Sequence, residues 1–86
     1  MNLFEQARTQ SSLSGDAMAS MLGVTYAYVY SMITSPGKMK DPTLLLKLSD
    51  ILGIKEADAI AEWRRLRRDF IQASADRRIR EEGLDE

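Results

Sequence analysis

Apolar residues recur along most of the chain at intervals of three and four, which places their side chains on one face of an α-helix. No stretch alternates apolar and polar residues in the way that is typical of a half-buried strand. The pattern therefore predicts an all-α protein, a compact bundle of about five helices whose last helix is long and highly charged.

Capping residues and glycines divide this pattern into helices. After a short first helix around Phe4, Ser14 can accept a hydrogen bond from the free N–H groups that begin a second helix. Gly23 is predicted to end that helix, because glycine enters the left-handed backbone region without a side-chain penalty. Thr25 can cap a third helix, and residues 35–37, Ser-Pro-Gly, predict a break after it.

In the second half of the chain, capping residues and a glycine again mark the helix ends. Asp41 is a plausible cap for a fourth helix, with Pro42 at its first helical position, and Gly53 is predicted to close it. A fifth helix is expected to start near Lys55 or Glu56 and to run to about Arg80.

The length allows one core only. We expect three parts. Residues 1–56 form the main domain, residues 57–80 form an amphipathic helix that packs on it and dimerises, and residues 81–86 form a flexible acidic tail.

The composition of the chain excludes several classes of function. The chain has no cysteine and no histidine, so it lacks disulfides, thiolate metal sites and the usual general base. It shows no phosphate-cradling loop and no obvious carboxylate pair, so we expect no enzyme, no catalytic residue, no metal and no cofactor. No apolar run approaches the roughly 20 residues of a membrane span. The expected location is the cytoplasm of a bacterial host cell.

Charge is unevenly distributed around a net value of −1. Lys38, Lys40 and Lys47 surround Asp41, and residues 63–80 hold seven arginines against two aspartates. Two basic islands between acidic stretches are compatible with DNA contact at defined places and equally with solvated helix faces.

One segment carries the spacing of two helices that meet at a tight turn. Such a pair needs a small residue where the backbones approach, a glycine at the turn and an apolar residue after it. Ala19, Gly23 and Val24 supply these in order, and Val29 is spaced to pack back onto the first helix of the pair.

These residues resemble the Cro/repressor-type (XRE-like) helix-turn-helix family of DNA-binding proteins over roughly residues 3–56. The resemblance implies a sequence-specific transcriptional regulator of double-stranded DNA, in particular a dimeric repressor of the small phage or mobile-element kind. The matching residues are Met18, Ala19, Leu22, Gly23, Val24, Thr25 and Val29, then Pro42, Leu44, Leu45, Lys47, Leu48, Ile51, Leu52, Gly53 and Ile54.

The resemblance further implies that the helix from Thr25 to Ile33 reads the major groove. It departs from the family pattern in two respects, since this helix has no Arg, Lys, Asn or Gln, and Gly15 stands where members commonly have Gln. Tyrosines and an alanine can give only modest, A·T-leaning or shape-dependent selectivity. The candidate DNA-binding residues are Ser14, Thr25, Tyr26, Ala27, Tyr28, Tyr30 and Ser31, with Lys38 and Lys40 on phosphates.

The tyrosines leave a second interpretation open. Exposed aromatic side chains often dominate protein–protein interfaces. The same fold can therefore be a protein-binding module, such as an antirepressor or an inhibitor of a host protein, that uses Tyr26, Tyr28 and Tyr30 to hold its partner.

The last helix carries an apolar seam that predicts a homodimer. The candidate dimerisation residues recur at spacings of three and four, although the first of them can also pack on the domain. Its arginines can bind DNA backbone or form ion pairs with neighbouring acidic residues. The candidates are Trp63, Leu66, Phe70, Ile71 and Ala73.

Overall fold

The computed structural model describes residues 1–82, with side chains through residue 79. All regular structure in that part of the chain is helical, which confirms the predicted all-α class. The elements are α1 (Leu3–Gln10), α2 (Gly15–Leu22), α3 (Tyr26–Thr34), a 3-10 helix (Pro36–Lys38), α4 (Thr43–Ile51) and α5 (Glu56–Glu82).

Every α-helix contributes to one core. Its members follow the helical spacing seen in the sequence, and all are at least nine-tenths buried, so their burial supplies the main favourable term in folding. Leu22, Val24, Trp63 and Leu66 pack around this core with partial exposure. The buried apolar residues are Phe4, Met18, Ala19, Val29, Met32, Ile33, Leu45, Leu48 and Ala59.

Two helix ends differ from the sequence prediction. The helix α4 begins at Thr43 and not at Pro42, although the Asp41 carboxylate accepts from the Thr43 hydroxyl at 2.6 Å and its N–H at 2.9 Å. These hydrogen bonds lower the pKa of Asp41. The helix α5 continues to Glu82, so the predicted acidic tail begins as helix, and residues 83–86 lie outside the described residues.

The N-terminus of α1 is fixed by a local capping box and by two long-range hydrogen bonds that periodicity does not indicate. Asn2 and Glu5 form a reciprocal capping box, and the Asn2 amide also donates to the Ile33 carbonyl oxygen at 2.9 Å. The Leu3 N–H donates to the Glu62 carboxylate at 3.0 Å. The start of α1 is therefore tied to both α3 and α5.

The carboxylate of Glu62 makes this tie dependent on pH. The hydrogen bond from Arg65 lowers the pKa of Glu62, and the bond from Leu3 acts in the same direction while burial opposes both. A lowered folded-state pKa means that the ionised form stabilises the fold above the ordinary range of a glutamate, about 4. That stabilisation is lost as the pH falls through the folded-state value.

Substituting Glu62→Gln should lower the free energy of unfolding at pH 7 by about 1 kcal/mol, because the charge-assisted bonds to Leu3 and Arg65 weaken. Urea denaturation should show the gap between variant and parent closing as the pH falls through the lowered pKa of Glu62. The control is Asp50→Asn at an exposed position, which should leave the free energy of unfolding at pH 7 nearly unchanged. A Glu62→Gln gap that does not shrink as the pH is lowered would contradict the role of the charge.

The first half of α5 packs against the 3-10 helix through backbone contact. A methyl group added at Gly37 would overlap the Leu66 carbonyl oxygen and would lie 2.7 Å from the Leu66 carbonyl carbon. The Trp63 indole N–H donates to the Met39 carbonyl oxygen at 3.0 Å, and Arg67 donates to the Gly37 carbonyl oxygen at 2.8 Å. Glycine is thus required at position 37 by the approach of α5.

This packing buries part of the predicted dimer seam within its own chain. Trp63 and Leu66 lie against the core of their own chain. Phe70 is half-buried, with the Arg67 guanidinium 5.8 Å from its ring centre. Ile71 and Ala73 are exposed, but they lie on different faces of the helix. Of the seam residues, Trp63 and Leu66 therefore hold α5 on its own domain.

Within residues 1–82, even this long helix lacks the apolar length needed to cross a membrane.

Candidate nucleic-acid interface

The helix pair α2 and α3 is held by the local interactions that the sequence predicts. The Ser14 hydroxyl accepts from the Ala17 N–H at 3.1 Å, and the Thr25 hydroxyl accepts from the Tyr28 N–H at 3.2 Å. Gly23 adopts a left-handed conformation with φ 70°, as expected for a helix stop. Both hydroxyl groups can still donate their own hydrogen to a ligand such as a phosphate.

The helix α3 has one buried and one exposed face. Val29, Met32 and Ile33 fill the core, and no residue from Tyr26 to Thr34 carries a charge. The exposed side chains include three tyrosines, which retain 46%, 45% and 57% of their surface in chain order. A large, uncharged and hydroxyl-rich face is thus presented to solvent by Tyr26, Ala27, Tyr28, Tyr30 and Ser31.

Gly15 explains how Tyr26 is oriented. It is the first residue of α2 and is buried beneath the Tyr26 ring, where an added methyl group would overlap the ring carbons. The ring occupies the space in which a side chain at position 15 would lie. The departure from the family pattern at Gly15 and the tyrosine at the start of α3 are therefore one structural feature.

A groove next to α3 brings the predicted lysines beside three residues of that helix. It has a volume of about 480 Å³, and Lys38 and Lys40 are both exposed along it. Asp41 is the acidic residue in this lining, and its carboxylate is already hydrogen-bonded by Thr43. The groove residues are Tyr28, Ser31, Met32, Ser35, Lys38, Met39, Lys40 and Asp41.

The lysines lie on an anchored segment that follows the predicted break at residues 35–37. Pro36 and Gly37 are buried, and the carbonyl groups of Gly37 and Met39 accept from α5. Lys38 and Lys40 alternate with these anchored positions, so their backbone is fixed while their side chains reach solvent. Only the Pro-Gly pair marks this segment in the sequence, and that pair indicates a turn without indicating its partner.

The remaining basic residues are placed elsewhere. Lys47 lies on α4 in a separate depression with Asp50 and Glu56, away from the lining of the groove. On α5, Arg65 pairs with Glu62 at 3.0 Å and with Asp69 at 3.7 Å. At least this arginine follows the ion-paired interpretation of the charged helix.

No group of acidic residues in the described part of the chain is arranged to hold a metal ion. Comparison with protein-family models, curated proteins and solved structures found no match to this chain. Its function is therefore inferred from its own residues and their geometry.

Proposed function

We propose that the protein is a sequence-specific DNA-binding transcriptional regulator in which α3 enters the major groove. The observation that carries the proposal is the groove that joins Tyr28 and Ser31 of α3 to Lys38 and Lys40. A helix in the major groove is flanked by phosphate backbone, and cations beside the helix are placed to neutralise it. The capped α2–Gly23–α3 pair gives that helix a rigid support.

The side chains of α3 indicate the kind of sequence readout. Tyrosine and serine hydroxyls can bond to base edges or phosphates, and Ala27 with the tyrosine rings can meet thymine methyl groups. None of these groups makes the bidentate contacts by which Arg or Gln select one base. The expected specificity is accordingly A·T-leaning, with a contribution from groove shape.

Two cations per copy give a limited electrostatic affinity, and one helix-turn-helix reads only a few base pairs. A two-fold dimer on a palindromic site doubles both contributions. The regulator would repress transcription by occupying a promoter in a bacterial host cell, with no cofactor.

Substituting Lys38→Gln and Lys40→Gln together should weaken binding to all duplexes. Each phosphate contact contributes about 0.9 to the slope of log affinity against log salt concentration, so the slope should fall by about 1.8 per copy. Fluorescence anisotropy with a labelled duplex at several salt concentrations measures this change.

The matched control is Lys47→Gln with Lys55→Gln, which removes the same charge from exposed positions outside the groove. It should leave the slope nearly unchanged. An equal loss of slope in both double variants would mean that only overall charge matters and that the groove is not a DNA site.

One observation favours a second function. The α3 face combines three half-exposed tyrosines with no charge, which also suits a protein interface. On that alternative the protein is a binding module that inhibits or antagonises another protein. Binding to DNA that is absent, or weak and independent of sequence, would favour this alternative.

A further inference from the structure

The second half of α5 carries an apolar stripe that its own domain leaves uncovered. Ile71 and Ile79 are 52% and 38% exposed, and Ala75 is exposed midway between them. Residues spaced by four lie on the same face of a helix. These three positions therefore form one continuous stripe, which we call the distal stripe.

The distal stripe faces away from the domain. Leu66, which meets the 3-10 helix, precedes Ala75 by nine residues, and nine residues turn an α-helix by two and a half turns. The two residues consequently lie on opposite sides of α5. A partner can cover the stripe without displacing the contacts of Trp63 and Leu66.

Arginines extend the same face toward the domain. Arg64 and Arg68 are exposed and lie in line with the stripe, beside a depression of about 330 Å³ that Ile71 also lines. At the other end of α5 the sequence becomes acidic, with four acidic residues among the last six. Within the described side chains the face runs from basic to apolar, and the sequence that follows it is acidic.

We propose that two copies of the chain pair in antiparallel orientation along α5, with Ala75 at the crossing point. In this arrangement Ile71 of one copy meets Ile79 of the other, and the small Ala75 side chains let the helices approach closely. Position 82, an acidic position in the sequence, falls opposite Arg68. The apolar positions and the charge pattern are both self-complementary about one point.

The parallel arrangement is disfavoured by the same residues. It would place Arg68 beside Arg68 and Arg78 beside Arg78, and like charges in contact weaken an association. In the antiparallel pair Arg78 faces Gln72, which has an acceptor oxygen to offer. Charge therefore selects the orientation, while the apolar stripe supplies the attraction.

This dimer places the two domains at a useful distance. The two Leu66 positions, where the domains attach, would be separated by about 27 Å along the helices, from a rise of 1.5 Å per residue. That separation is of the same order as one turn of B-DNA, about 34 Å. This dimer rests on the proposed function and specifies how two copies would bind one site. Because the pairing is measured without DNA, the dimer and the DNA-binding function can each be refuted separately.

The first test compares Ala75→Asp with Ala73→Asp by sedimentation equilibrium of the full chain. Both alanines are exposed on α5, and they differ in the face on which they lie. Ala75→Asp brings two carboxylates together at the crossing and should raise the dimer dissociation constant at least 100-fold. Ala73→Asp should leave it within about threefold. A monomeric parent, or an equal effect of both substitutions, overturns the proposal.

The second test measures orientation and does not depend on either aspartate variant. Because the chain has no cysteine, Ile71→Cys and Ile79→Cys each introduce a single thiol. Oxidised glutathione should cross-link a mixture of the two variants, while each variant alone should cross-link poorly. Efficient cross-linking of each variant with itself would establish a parallel pair and overturn the antiparallel one.

Discussion

Substituting Gly37→Ala should lower the free energy of unfolding by about 3 kcal/mol and the melting temperature by about 15 °C. The added methyl group would overlap the Leu66 carbonyl group, and it would lie 3.2 Å from the Arg67 nitrogen. These are backbone atoms, which cannot rotate aside, so α5 must move away from the 3-10 helix. Chemical denaturation of the purified protein measures the loss.

The matched control is Gly53→Ala. Gly53 has φ 77° and no atom within 4 Å of an added methyl group, so this substitution carries only the penalty of a left-handed alanine, about 1 kcal/mol. A Gly37→Ala cost no greater than that of Gly53→Ala would show that α5 does not depend on close backbone contact.

Replacing Tyr26 and Tyr30 together with alanine should reduce affinity for a specific duplex by about 100-fold or more. Each tyrosine can contribute one hydroxyl hydrogen bond, worth about 0.5–1.5 kcal/mol, together with the apolar contact of its ring. These two side chains lie at the exposed start and middle of α3. Anisotropy with a specific and a scrambled duplex at one fixed salt concentration gives the ratio. Affinity for the scrambled duplex should change far less, because the lysines remain.

The control for the tyrosines is replacement by phenylalanine. Tyr26→Phe with Tyr30→Phe keeps both rings, including the one that covers Gly15, and removes only the hydroxyl groups. Retained specificity in this variant would assign the readout to ring contacts with thymine methyl groups. Unchanged affinity in the alanine variant, with helical content intact by circular dichroism, would place the contact away from Tyr26 and Tyr30.

Local chemistry was predictable where a single residue decides a helix end. Ser14, Thr25, Gly23 and Gly53 perform the predicted capping and stopping roles, because each role depends on backbone groups within four residues. The start of α4 differs by one residue, since Asp41 bonds to Thr43 beyond the intervening Pro42.

Contacts between distant residues could not be predicted in this way. Pro36 and Gly37 indicate a turn, but nothing in the sequence shows that the turn rests on Leu66, 29 residues later. In the sequence Gly15 is likewise only a position without a side chain, and its packing against the Tyr26 ring is visible only in the structure. Such close approaches depend on the packing angle of two helices, which periodicity does not determine.

The long helix α5 shows a further limit. Spacing identifies Trp63 and Leu66 as one apolar seam, but the seam does not reveal whether the same chain or a second copy covers it. The burial of each residue distinguishes cover by the same chain from cover by a second copy. Trp63 and Leu66 pack against the core of their own chain, while Ile71 and Ile79 stay exposed. The predicted homodimer remains a proposal, now assigned to the distal stripe.

The most direct measurement is selection of bound duplexes from a random DNA pool, at low and at near-physiological salt. We expect a palindromic, A·T-leaning site with half-sites about one helical turn apart, recovered at both salt concentrations. Recovery of no site, or only of sequence-independent DNA at low salt, would contradict the proposed regulator and assign the tyrosine face to a protein partner.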